Sequence, residues 1–129
     1  MNIILKDDEL GKIEKILSDN LINSGIKTAI LIDTAGNVIT YIDNGGYRKD
    51  IFPLAALVAG NFGAMKSIAS ILGESEFSLL FHKGKEKNIY LTRVGDAFIL
   101  ISVFDDDILL GFVRLKIDEV TAQLNKLRM

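Results

Sequence analysis

The run IFPLAALVAGNFGAMKSIASILG, Ile51–Gly73, decides how the rest of the chain is read. No charged residue occurs from Ile51 through Met65, and Lys66 is the only charge inside the run. Placed on a helix at ~100° per residue, it divides into two faces. Leu54, Leu57, Val58, Met65, Ile68 and Leu72 fall on one side, the expected core contact. Ala56, Ala59, Gly60, Gly63, Ser67 and Ser70 fall on the other. Small residues repeat at i, i+4 in two ladders, one through Ala56, Gly60 and Ala64, the other through Ala59, Gly63 and Ser67. A glycine inside a helix costs ~1 kcal/mol relative to alanine, a cost that close approach of another backbone would offset. That backbone belongs either to a second copy or to another part of the same chain.

Two sharper readings of the run fail. A membrane span needs ~18 or more apolar residues, and this run is interrupted by Asn61 and Lys66 and rich in Gly, Ala and Ser. The octet GNFGAMKS, Gly60–Ser67, echoes a phosphate-binding loop. Such a loop needs Gly directly before Lys and a preceding strand, whereas Met65 precedes Lys66 inside a helical pattern.

Working outward, the 129 residues are expected to form one domain, 1–129, large enough for a proper core. At 49% hydrophobic and 25% charged, the composition argues against disorder. A net charge of −2 gives no electrostatic case for nucleic acid. Cysteine is absent, which excludes disulfides and thiolate metal sites. The start MNIILKDDEL has neither a basic segment nor a long apolar one, so no signal peptide is expected and the default location is cytoplasmic.

Upstream, Asp7–Asn23 reads as a helix with Leu10, Ile13, Leu17 and Leu21 on one face, an acidic first turn, and Gly25 as its stop. Lys27–Asp33 and Val38–Ile42 read as a β-hairpin across Thr34-Ala35-Gly36-Asn37. Downstream, Phe77–His82, Asn88–Val94 and Ala97–Phe104 are strand-like runs with short connections, hence an antiparallel meander. Ala97–Phe104 is apolar almost throughout, as a strand covered on both faces should be. Ile108–Leu127 reads as a final helix that Asp105, Asp106 and Asp107 can cap; Ile108, Phe112 and Leu115 form a second apolar patch on its first turns, expected to be buried, the alternative being exposure for a partner. The order is αββαβββα: an α+β fold with a five-stranded antiparallel sheet and helices on both faces.

Catalytic chemistry is hard to find. His82 is the only histidine, so no two-histidine metal site exists. No serine lies in a G-x-S-x-G turn. Asp105-Asp106-Asp107 lacks the Gly and distal Glu of a calcium loop. No cofactor, metal or catalytic residue is expected. Of the arginines Arg48, Arg93, Arg114 and Arg128, Arg48 alone sits in a glycine-flanked loop, GGYRKD.

The blocks LAALVAGNFGAMKSIASILGE, EFSLLFHKGKEKNIYLTRVGDAFILISVF and LLGFVRLKI, in that order, resemble the Roadblock/dynein light chain superfamily, and within it most closely the bacterial MglB branch. The resemblance covers the chain from about Asp8 onward. It implies the same αββαβββα Roadblock-like (profilin-like) fold. It implies a homodimer made by packing central helices side by side and joining edge strands. Carried onto this sequence, the dimer and partner interface is Ala56, Ala59, Gly60, Gly63, Lys66, Ser67 and Ser70 on the helix, with Phe77, Leu79 and Phe81 on the strand. The resemblance further implies a regulator of a small Ras-like GTPase of the MglA type, associated with cell polarity and gliding motility, with no active site of its own. The alternatives are a non-catalytic scaffold or dynein-light-chain-like adaptor, and a PAS- or profilin-like ligand sensor, for which the apolar patterning offers no polar anchors.

Overall fold

The computed structural model describes residues 6–75 and 77–127. Within them the order is α1 (Asp7–Asn20), β1 (Thr28–Asp33), β2 (Val38–Asp43), α2 (Ile51–Ile71), β3 (Leu79–Lys83), β4 (Lys87–Val94), β5 (Phe98–Asp105) and α3 (Leu110–Asn125). Single 3-10 turns sit at Ile22–Ser24 and Arg48–Asp50. This is the αββαβββα order expected from the residue patterns. Helix α1 stops earlier than its periodicity suggests, giving way to the first 3-10 turn, which Gly25 closes at φ 99°.

The five strands form one antiparallel sheet in the order β2-β1-β5-β4-β3. The apolar strand β5 occupies its centre and is buried from Phe98 to Phe104. Alternation along β5 serves two cores. Phe98, Leu100 and Phe104 meet α1 and α3 through Ile13, Leu17, Val113, Ile117 and Val120. Ile99, Ile101 and Val103 meet α2 on the opposite face through Ile51, Ala55, Val58 and Phe62. Helices therefore cover both faces, two on one side and one on the other.

The hairpin tip between β1 and β2 is tied by Asp33. Its Oδ1 accepts the backbone N–H of Ala35 at 3.0 Å and of Asn37 at 2.8 Å, and its Oδ2 accepts the Asn37 side-chain amide at 2.9 Å. Burial pushes this carboxyl up, but these donors prevail and hold it below its ordinary value of 3.8. Gly36 in the same turn has φ 93°, and a Cβ there would stand 3.2 Å from Ala56 Cα and 3.3 Å from Ala59 Cβ. The tip thus leans directly on α2.

Three expectations are corrected. The large-residue face of the central helix is not its core face. The stripe against the sheet is Ile51, Ala55, Val58, Phe62 and Ala69, while Leu57, Ile68 and Leu72 are 72%, 44% and 67% exposed. The aspartates do not cap the last helix: Leu109 holds the N-cap position without a side-chain hydrogen bond. Asp105 instead binds Lys87 Nζ at 2.8 Å, and Asp106 accepts from Lys83 Nζ at 2.7 Å and Asn88 Nδ2 at 2.8 Å. The Asn88 and Lys83 bonds hold the Asp106 carboxyl below its ordinary range. Finally, Phe112 and Leu115 are exposed on α3 rather than buried, and only Ile108 packs inward, over Gly25.

Candidate functional site, the open face of the central helix

Contrary to the sequence expectation, the helical stretch Arg48–Ile71 is long and apolar enough, by length and composition alone, to cross a membrane. Helix α2 nevertheless lies on the sheet along one narrow stripe, and the rest of its circumference is open. Along the middle of the open face run Ala56, Gly60, Gly63, Ala64, Ser67 and Ser70, all exposed, with Ala59 half-buried at the margin. Lys66 is exposed beside them. Large apolar side chains flank this strip: Phe52 is 65% exposed and Ile71 84%. Ideal Cβ atoms built on Gly60 or Gly63 meet nothing within 4 Å. Nothing among the described residues of this chain therefore explains why those two positions lack a side chain. Ala56 and Ala59, by contrast, already touch the Gly36 turn.

The sheet beside α2 is also incompletely covered. Among the described residues β3 is an edge strand, and no described strand pairs with the donors and acceptors along its free side. On the α2 face, half-buried Leu80 and Ile89 floor the uncovered area. A recess of about 460 Å³ lies near the start of α2, lined by Tyr47, Leu54, His82, Lys87, Ile89 and Val103 among others. A second of about 260 Å³ lies further along, where Phe62, Gly63 and Lys66 face Phe77, Arg93 and Asp96. Arg93 donates from Nη2 to the Asp96 carbonyl at 2.8 Å.

The strand residues named from sequence divide between the two faces. Phe77 precedes β3 and lines the second recess. Leu79 and Phe81 turn to the α1 and α3 side. Phe81 stacks on Phe104 with centroids 6.2 Å apart and an interplanar angle of 18°. The α2 side of the strand carries Leu80 and His82 instead, which the sequence reading missed. Strict alternation from Phe81 would have found them.

The approach to α2 is tied together by Asp43. Asp43 Oδ1 accepts from the Thr28 hydroxyl at 2.8 Å and the Gly45 N–H at 2.9 Å, and Oδ2 accepts the Tyr47 N–H at 2.8 Å. Burial acts against this carboxylate, but these donors prevail and lower its pKa. Arg48 and Lys49 follow on an exposed 3-10 turn. Arg114 is exposed on α3, and Arg128 lies outside the described residues. Among the described residues, no three His, Cys, Asp or Glu side chains stand together as metal ligands. The chemistry on offer is that of a contact surface, with an apolar helix face, a free strand edge and a few cations at its rim.

A family model described as Roadblock/LC7 domain matches residues 12–104. Among solved structures, the chain is similar to MglB of Myxococcus xanthus, at 32% identity and TM-score 0.87, covering 96% of this chain and 92% of that one. It is equally similar in shape to the gliding protein MglB of Thermus thermophilus, at 29% identity and TM-score 0.89, covering 98% of this chain and 95% of that one. Profilin of Schizosaccharomyces pombe shares the fold alone, at 18% identity and TM-score 0.61, with 85% of this chain and 94% of that one covered. No curated protein matches the sequence.

Proposed function

The chain belongs to the Roadblock/LC7 domain family, and on that premise we propose that its 129 residues form a single Roadblock-like domain acting as a homodimeric regulator of a small Ras-like GTPase of the MglA type. It works in the cytoplasm and has no active site of its own. The observation that carries the reading is the open face of α2. Its interior glycines face space that no described residue of the chain fills, on a fold shared with two MglB proteins over nearly the whole chain.

In this reading two copies set their α2 helices side by side over the uncovered part of each sheet and join their β3 edges. The paired helices then present one continuous surface to the GTPase. Hydrolysis is stimulated by positioning, with the dimer holding the partner's switch segments in a hydrolysis-competent arrangement. Conformational stimulation of this kind needs differential affinity for that arrangement and no inserted catalytic group. The test is single-turnover phosphate release from a GTP-loaded MglA-type GTPase with and without the purified protein. Faster release supports the reading. Binding without acceleration assigns the chain to the scaffold class instead.

A further inference from the structure

The geometry points to a second layer of the homodimer contact, on the face of the sheet opposite α2: the recess beside Leu109 and Leu110 receives Leu79 of a second copy. This rests on the homodimer reading above. Leu109 and Leu110 are 82% and 42% exposed at the start of α3. They border a recess of about 240 Å³ whose other side is Phe81 and Lys83, at the end of the edge strand. The Lys83–Asp106 ion pair at 2.7 Å pins the loop there. An apolar step thus stands next to a strand edge that no described strand pairs.

Strand geometry says what meets it. Directly opposed residues of antiparallel strands share a face. If both copies keep α2 on the same side of the joined sheet, odd-numbered residues of one β3 must oppose odd-numbered residues of the other. With the two-fold axis placed near Phe81, the middle of Leu79–Lys83, the Lys83 end of one strand would lie against the Leu79 end of its neighbour. Leu79 lies on the α1 and α3 face, the same face as Leu109 and Leu110. The second copy's Leu79 arrives beside the recess as a continuation of the β3 contact. A contact on this face explains an exposed Leu-Leu pair that α2 cannot reach.

Leu109→Asp tests the idea without harming the fold, because Leu109 is an N-cap without a side-chain bond and Asp is favoured at that position. In a sedimentation dilution series the variant should dissociate at a concentration at least ~10-fold above wild type, since the lost burial counts twice in a symmetric interface. An unchanged dissociation constant overturns the proposal, including when GTPase binding falls, which would give the surface to the GTPase. A wild-type protein monomeric throughout the series overturns the homodimer reading and this proposal with it. Because the chain has no cysteine, Leu79→Cys and Leu109→Cys proteins can also be mixed and mildly oxidised. A disulfide requires Cα atoms within ~7 Å, so a cross-linked pair supports the placement.

Discussion

Replacing Gly63 with leucine separates what this chain needs for itself from what it holds for a second copy. Gly63 is exposed, and an ideal Cβ on it meets no atom of the described residues within 4 Å. Inside one chain, therefore, the substitution adds no clash and removes a helix-interior glycine worth ~1 kcal/mol against a good helix former. The isolated fold should become no less stable. Across a close helix–helix contact the same side chain has no room, and overpacking costs ~1–3 kcal/mol at each site. A two-fold interface contains the substitution twice, so the dimer dissociation constant should rise at least ~10-fold. Sedimentation velocity over a dilution series measures the dimer, and urea unfolding of the dilute variant measures the monomer. A Gly63→Leu protein that dimerises as tightly as wild type would refute the reasoning, because the open strip would then not be where two helices meet. A variant that is monomeric but also markedly less stable when dilute would refute it differently, by showing that Gly63 serves the chain's own packing.

Other expectations follow from the same geometry. Arg48→Ala, tested by single-turnover hydrolysis, should keep most of any stimulation, because positioning has no single point of failure; a loss of ~100-fold or more with normal GTPase binding would make Arg48 an inserted finger. Asp43→Ala strands the fully buried Thr28 hydroxyl and should cost ~1–3 kcal/mol in urea unfolding. The folded pKa of Asp43 lies below its ordinary 3.8, so its contribution is present above that value and lost as pH falls through the lower folded pKa; the gap between wild type and Asp43→Ala should therefore narrow in acid. Phe98→Ala, at a position 1% exposed in the core beneath α1 and α3, should cost ~3–5 kcal/mol by the same assay. Calorimetric titration of the isolated protein with GTP, GDP and ATP should show no micromolar binding, and Lys66→Ala should change nothing.

Most of the fold was legible because its periods are clean. β5 is apolar on both faces and lies in the centre of the sheet. Asp33, Gly36 and Asn37 together spell a hairpin tip. The phase of α2 was not legible, because a run apolar on every side has no polar face to set it. Its core stripe includes Ala55 and Ala69, so sorting residues by size misread which side is buried. The faces of β3 were not assigned from sequence: Phe77, Leu79 and Phe81 were named as large residues of the strand region, while Leu80 lies on the α2 side. Asp105 and Asp106 were assigned to the nearby helix because that was the only neighbour visible in sequence. Their actual partners, Lys87, Lys83 and Asn88, come from the adjoining hairpin. Local chemistry fixes turns and periods, whereas the choice among exposed faces is made by elements distant in the chain.

The strand order β2-β1-β5-β4-β3 leaves two unlike ends on one sheet. Joining like to like, β3 to β3, exhausts the reactive end at once and leaves β2 at both outer margins, so growth stops at a closed pair. Joining unlike ends, β3 to β2, would regenerate a fresh β3 at every step and run on as a fibre. A face on α2 that fits only another α2 would bias the choice toward the closed pair, before a strand edge meets the wrong neighbour. On that view the small side chains of the helix also protect solubility: enlarging them would release a sticky edge as well as weaken a contact. Variants such as Gly63→Leu should then be watched for filaments at high concentration.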